Sequence, residues 1–493
     1  MQFAAIDKVV PSLCPICLQL VEARIFQDGK TVRITKICPD HGKFEDIYWS
    51  DADLYKKFDR YWDDGEGVEN PHTRGDNCPF DCGICDNHKT GTLLANIDLT
   101  NRCNLSCPVC FANAEASGRV YEPTLVQIRE MMIRLRELRP VPCPAVQFSG
   151  GEPTMREDLP SILAMARDMG FDQIQIATNG IRLAKSFNLC RALEKSGLNT
   201  VYLQFDGFTP KANIAFRGRD VLPLKLKAIE NFRRSGIESV VLVPVLEKGV
   251  NDGEIGDIIR FAAGNLDVVR GLNFQPISFT GRANQAERLS RRITIPDFFH
   301  LVEEQTGGEI TKDDFYPVSF VAPISRLVSA ETGISRPVFS VHPHCGAATY
   351  VFHHNGHLIP ISRFVDLEGL YELLNEEVEH FDGTLISRLK MHSRIVSELP
   401  KLIDESGAPE GLNFLRMFLG MLKNGTRDSL RVIHKNALFL GTMHFQDLYN
   451  VDLERVQRCG VHYATPDGRI IPFCAYNMIH REEVEEKFSV PVR

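Results

Sequence analysis

Cys103, Cys107 and Cys110 lie in the stretch LLANIDLTNRCNLSCPVCFANAEA (Leu93–Ala116), spaced C-x3-C-x2-C. Thiolates so spaced can hold three corners of a four-iron, four-sulfur cluster and leave the fourth iron open to a small molecule. The same spacing recurs in NCPFDCGIC at Cys78, Cys82 and Cys85, so spacing alone does not say which triad is reactive. A looser set is Cys345, Cys459 and Cys474. Near the N-terminus Cys14 and Cys17, then Cys38 and His41, make C-x2-C, twenty residues, C-x2-H. That pattern closes a four-ligand, structural site for one zinc or one tetrahedral iron. The chain has fourteen cysteines, and twelve fall in these sets, as converging thiolates require. Cys143 and Cys190 stand alone, which ordinarily marks a small buried apolar residue.

The elements that must position these residues follow from periodicity. Val21–Phe26 and Thr31–Ile37 read as strands joined by an Asp28-Gly29 turn, a hairpin with one metal knuckle at each end. Residues 51–62 read as a helix with Leu54, Phe58 and Trp62 on one stripe. Six apolar, β-rich runs then alternate with amphipathic ones. The strands are Leu94–Leu99, Ala145–Ser149, Gln173–Thr178, Thr200–Phe205, Ser239–Leu246 and Gly271–Ile277. The helices are Thr124–Leu138, Asp158–Met169, Leu183–Ser196, Leu222–Ser235 and Asp252–Ala263. The expected fold is α/β, a partial (β/α)6 TIM-like barrel with its chemistry at the C-terminal strand ends. Only Cys103, Cys107 and Cys110 follow the C-terminal end of the first strand; Cys78, Cys82 and Cys85 precede it, at the opposite end. Cys143, at the start of strand two, is therefore a candidate fourth ligand for that other triad. The loop after strand two, Ser149-Gly150-Gly151-Glu152-Pro153, shares the reactive end. Its glycines allow close backbone approach to a ligand, and Glu152 can accept from an ammonium group.

The expected domains are a ribbon-like metal-binding unit (1–62), an auxiliary-cluster linker (63–90), the barrel (91–280) and a C-terminal auxiliary-cluster domain (281–493). In the last, Asn355-Gly356 and Pro466-Asp467-Gly468 mark two hairpin turns, and His342, His344 or the substrate could complete the ligand set of Cys345, Cys459 and Cys474. Over 493 residues the net charge is -8 with no basic block, which argues against nucleic acid as the main partner. No apolar run is long enough to span a bilayer, and the N-terminus lacks the pattern of a signal peptide, so a cytoplasmic protein is expected. Gly411–Asn424, GLNFLRMFLGMLKN, reads first as a packed core helix and second as an interfacial one giving peripheral membrane contact.

C-x3-C-x2-C after strand one with GGEP after strand two resembles the radical S-adenosylmethionine (SAM) superfamily. The resemblance implies that Cys103, Cys107 and Cys110 hold the SAM-binding four-iron, four-sulfur cluster, with two auxiliary clusters elsewhere. The open iron then chelates SAM, and one electron from a ferredoxin- or flavodoxin-like reductant cleaves it to a 5'-deoxyadenosyl radical. Gly150, Gly151 and Glu152 would cradle the methionine; Thr178, Asn179, Gln204 and Asp206 would meet ribose or substrate. The residue before the third cysteine, often aromatic in the family, is Val109, which leaves Phe111 as the aromatic candidate.

Along the chain, CPIC…CPDHG, NCPFDCGIC, VQFSGGEPT, YLQFDG, LNFQPISFTGRA, HPHCG and CGVHYATPDGRIIPFCAYN together resemble the archaeal tetraether lipid synthases and their bacterial relatives. That resemblance implies coupling of the unactivated ends of two lipid chains. The alternative is a radical SAM methyltransferase or maturase acting on a pterin-like heterocycle or a peptide. A non-catalytic electron carrier is a third reading, against which GGEP argues, since a carrier needs no SAM pocket.

Overall fold

The computed structural model describes residues 5–114, 118–410, 412–424 and 436–491, with backbone alone at 421–424. Ala116 and Gly411, and the side chains of Met421 and Leu422, lie outside the described residues.

The first unit is an antiparallel meander of β1 (Asp7–Leu13), β2 (Leu20–Asp28), β3 (Thr31–Cys38) and β4 (Gly42–Trp49). The expected hairpin is its centre, with Asp28 facing Thr31 across the turn and Gly29 at φ +60°. The outer strands β1 and β4 extend it. Helix α1 (Ala52–Asp59) follows, capped by Asp51, whose carboxylate accepts from the Asp53 and Leu54 amides at 2.9 and 3.0 Å. Such a cap is worth about 1 kcal/mol. Leu54 and Phe58 are buried as expected, whereas Trp62 lies beyond the helix and is 36% exposed.

The barrel is built from β5 (Leu94–Thr100), β7 (Ala145–Gly150), β8 (Gln173–Thr178), β9 (Thr200–Gln204), β10 (Val240–Val243) and β12 (Val269–Pro276), adjacent in that order and all parallel. Short β6 (Arg119–Tyr121) pairs with C-terminal β19 (Ser489–Pro491), and β11 (Val245–Leu246) continues the line of β10 beyond Pro244, which has no N–H for the ladder. Helices α2 (Leu125–Arg136), α3 (Leu159–Asp168), α4 (Ile181–Lys185), α5 (Phe187–Lys195), α6 (Pro210–Arg217), α7 (Leu222–Ser235) and α8 (Ile255–Ala263) provide the crossovers. The helix expected at Leu183–Ser196 is two, broken at Ser186, whose hydroxyl caps α5. Helix α6 was not anticipated.

The parallel row is longer than six. Strands β13 (Tyr316–Pro317), β14 (Gly346–His354) and β15 (His357–Pro360) lead to β16 (Ala437–Met443), which joins β12 in parallel. At the other edge β17 (Val461–Ala464), backed by β18 (Ile470–Pro472), pairs in parallel with β5. Eight parallel strands thus stand in the order β17-β5-β7-β8-β9-β10-β12-β16, and the boundary expected at residue 280 does not separate two sheets. Helices Ala322–Thr332, Leu367–Glu379, Leu385–Glu398 and Phe414–Asn424 share a second core. Phe414 and Phe418 are buried in it, as the first reading of this helix, a packed core element, expects. Among the described residues no helix is long and apolar enough to cross a membrane.

Candidate active site and metal centres

Side chains alternate along the barrel strands. On β5, Ala95, Ile97 and Leu99 belong to the main apolar core with Ile128 and Met132 of α2, while Leu94, Asn96 and Asp98 face the interior. Inward residues from β5 to β12, β16 and β17 line one cavity of about 300 Å³, so the row curls around a common space. Cys103, Cys107 and Cys110 open into it, with Phe111, Gly150, Gly151, Thr178, Asn179 and Gln204. Burial pushes the Cys103 thiol up to about 12, which an electropositive cluster would reverse by taking the thiolate. Phe111 packs edge-on against Phe445 and Phe473, and those two stack at 4.1 Å.

The glycine pair answers a packing demand of the chain itself. Gly150 has φ +116°, and a Cβ there would lie 2.2 Å from the Thr100 carbonyl oxygen; at Gly151 it would lie 2.3 Å from that of Arg102. The Gly151 and Glu152 amides donate to the same carbonyls at 2.6 and 2.9 Å, strapping this loop to the segment that enters the cysteine triad. Glu152 is fully buried and does not face the cavity. Its carboxylate accepts from the Thr154 amide and hydroxyl, the Thr178 hydroxyl and the Asn179 amide at 2.6–3.1 Å. Three of these donors fall on Oε1 and one, the Asn179 amide, on Oε2, so the carboxylate positions this loop while Oε2 keeps one acceptor site. Asp206 is likewise withdrawn from the cavity. Arg217 of α6 grips it with two bonds of 2.7 and 2.8 Å, and Asp206 also accepts from Gln204.

Sequence reasoning missed three cations here. Besides holding Asp206, the Arg217 guanidinium is close enough to the Cys107 thiol for their charges to interact. Lys225 of α7 donates to the Asn179 carbonyl and Gln204 Oε1 at 2.5 and 2.6 Å, and burial, with Arg217 next, pulls its ammonium down to about 7. Arg481 pairs with Asp98 at 2.6 Å under the rings of Tyr463 and Tyr476.

The other cysteine sets lie outside this cavity. In the ribbon, Cys14, Cys17, Cys38 and His41 bring their ligand atoms within 4.8 Å of one another. Cys17 and Cys38 Sγ are 3.8 Å apart, and His41 Nδ1 stands 3.7 and 3.5 Å from Cys14 and Cys38. A tetrahedron of Zn–S bonds of about 2.3 Å has edges of about 3.8 Å, so the four fit zinc with little movement. Cys78, Cys82 and Cys85 gather before β5; burial raises the Cys82 thiol most, then the charges of Cys78, Cys85 and Cys459. Cys143 does not join them: fully buried in the main core, it donates to the Ala145 carbonyl at 3.2 Å. Cys345, Cys459 and Cys474 act on one another electrostatically, so Cys459 adjoins both auxiliary sets. Arg455 Nε donates to Cys345 Sγ at 3.3 Å and the Gln446 amide to Cys474 Sγ at 3.4 Å. His344 turns away to stack on Tyr55, and His342 faces Asp452 and Glu454, so neither histidine completes this set.

Residues 97–262 match the family model of the radical SAM superfamily, and residues 7–50 match the HMPTM N-terminal zinc ribbon domain. Over 491 residues the chain is 53% identical to 7,8-dihydro-6-hydroxymethylpterin dimethyltransferase of Methanocaldococcus jannaschii, covering 99% of this chain and 96% of that one. The chain belongs to the radical SAM superfamily, in the family of that dimethyltransferase. It is a radical SAM enzyme, using a four-iron, four-sulfur cluster and SAM, with further metal in the ribbon. A more distant radical SAM relative, a probable GTP 3',8-cyclase of Pyrococcus abyssi, is 33% identical over 45% of this chain and 61% of its own. Among solved structures, Streptococcus suis SuiB bound to precursor peptide SuiA overlaps 45% of this chain and 46% of its own at 20% identity, with a TM-score of 0.37. The kinship expected with tetraether lipid synthases, and with it the coupling of lipid chains, is overturned by the full-length match to a pterin dimethyltransferase.

Proposed function

We propose that this radical SAM enzyme methylates a dihydropterin, the activity that names its full-length relative. The observation that carries the reading is that 53% identity, which covers 99% of this chain and so takes in both the ribbon and the C-terminal cysteines. The interior of the barrel agrees with it. Barrel interiors are ordinarily packed with Val, Ile and Leu, whereas Asn96, Asp98, Gln147, Ser149, Asn273 and Gln275 face this cavity, with stacked Phe445 and Phe473 on one wall. Polar edges and an aromatic wall suit a flat, hydrogen-bonding ring better than an alkyl chain.

In this reading Cys103, Cys107 and Cys110 hold the reactive cluster, and Phe111, Gly150, Gly151, Thr178, Asn179 and Gln204 border SAM. Glu152 and Asp206 act one step back, fixing Asn179 and Arg217. Auxiliary clusters fall to Cys78, Cys82 and Cys85 and to Cys345, Cys459 and Cys474. When bound, the cluster and SAM supply the 5'-deoxyadenosyl radical that attacks a carbon–hydrogen bond. The chain's own part is to hold the substrate ring and to keep water from the radical.

The test is the rate of 5'-deoxyadenosine formation from SAM and a reductant by the reconstituted enzyme. Adding 6-hydroxymethyl-7,8-dihydropterin is expected to accelerate it; a long-chain lipid or an unrelated peptide is not. Equal rates with and without the pterin would overturn the reading.

A further inference from the structure

The floor of the barrel carries an acceptor with no partner. Gln147, on β7, faces Asn96, on β5, in register. Its Nε2 donates to Asn96 Oδ1 at 2.7 Å, and Asn96 Nδ2 donates in turn to the His462 carbonyl at 3.4 Å. A backbone carbonyl can only accept, so it turns the Asn96 amide, and Asn96 turns Gln147. Gln147 Oε1 is thereby left aimed away from the pair. It is buried, and among the described residues lining the cavity it is the one buried side-chain oxygen or nitrogen without a hydrogen bond. Leaving such a group unpaired costs about 1–3 kcal/mol, a penalty that a ligand donor would relieve. Tyr202, Asn273 and Gln275 border the same space, and their side chains make no hydrogen bond to any described residue.

In the reading above SAM is held at the loop beside the cysteines. Gln147 sits three residues before Gly150 on the same strand, so it lies about 10 Å deeper than the loop beside the cysteines. The interior floor therefore asks for a second ligand with an N–H donor at its inner edge and further polar atoms facing Asn273 and Gln275. Resting on the pterin reading above, we infer that Gln147 is the specificity-determining residue for the substrate ring. Its Oε1 accepts from the exocyclic 2-amino group, with the ring lying above the Asn96–Gln147 pair. The reacting carbons then point up, toward the cysteine end.

The inference is tested by equilibrium binding to the cluster-loaded enzyme under anaerobic conditions. The probes are 6-hydroxymethyl-7,8-dihydropterin and its 2-deamino analogue. The wild-type protein is expected to prefer the aminated ring by at least about tenfold, because the analogue leaves the buried acceptor unpaired. Gln147→Leu, of similar size but with no acceptor, is expected to bind the two rings equally; iron content and thermal unfolding check that it is folded. A wild-type protein that binds both rings equally overturns the inference without any variant. So does a folded Gln147→Leu that keeps the preference. If the wild-type protein binds neither ring, the pterin reading itself falls, and the inference with it.

Discussion

Arg217 and Lys225 place two cations in the barrel wall beside the reactive cysteines, and each has a consequence that can be measured. Arg217→Leu leaves Asp206 buried and unpaired, a change worth about 3–5 kcal/mol. Chemical denaturation is expected to show that loss, and Asp206→Asn in the same chain to restore part of it; a stability change below about 1 kcal/mol contradicts the pairing. Lys225 titrates near 7 in the fold against 10.5 for a free lysine. Below pH 7 it is charged in both states, and between 7 and 10.5 the unfolded chain binds one proton more. Stability from this group therefore rises with pH through that window, by a few kcal/mol at most. Comparing melting temperatures of the metal-free protein with Lys225→Met from pH 7 to 10, the wild type is expected to gain on the variant as pH rises. A constant gap contradicts the shift. Arg217 escaped sequence reading although Asp206 is only 11 positions away, because it sits on α6, a helix that was not anticipated; the partners of Lys225 lie 21 and 46 positions off, and Arg481 and Asp98, a pair of the same kind, are 383 apart. The cysteine triads and ribbon knuckles were legible because metal chelation imposes short, local spacing. Glu152 was legible as a polar residue of the glycine loop, but its four protein donors, from Thr154, Thr178 and Asn179, show only in the fold.

At the scale of elements, the strap between the glycine loop and the cysteine loop is what brings strands one and two into a working site. Gly151→Ala would drive a Cβ into the Arg102 carbonyl, and the strain is relieved only by moving the segment that leads to Cys103. At least about tenfold less 5'-deoxyadenosine is expected, because small displacements of a positioned group cost that much or more. Zinc in the ribbon should be unaffected. Unchanged turnover would show that the strap does not position the triad. Five of the six central strands were readable to within a residue or two from apolar runs; the other, expected unbroken over Ser239–Leu246, is interrupted at Pro244. β16 and β17 were not readable as barrel strands. They follow no regular βα rhythm, so only their pairing with β12 and β5 assigns them.

Across the whole molecule, the ribbon is docked on the segment 446–455, which lies against Cys345 and Cys474. Ser12 donates to the Val451 carbonyl at 2.7 Å, Lys36 to that of Leu448 at 2.6 Å, and Tyr48 to Asp452 at 2.8 Å. Asp46 pairs with Arg292, which also pairs with Asp447. The same segment presents Gln446 to Cys474 and Arg455 to Cys345. Cys38→Ala is therefore expected to lose the ribbon's metal and, by elemental analysis, part of the iron as well; loss of zinc with full iron content would show that the ribbon does not support that site. The lipid-coupling reading failed at this scale. Shared metal motifs along the chain are scaffold features, while the substrate is chosen inside the barrel by side chains such as Gln147 that no motif includes. The most direct test is expression of the chain and of its Cys107→Ala variant in a bacterial host, with mass spectrometry of both the pterins and the lipids. The wild-type chain is expected to give a pterin that has gained two methyl groups, absent with the variant, and unaltered lipids. Coupled lipid chains, or pterins identical in the two strains, would contradict the account.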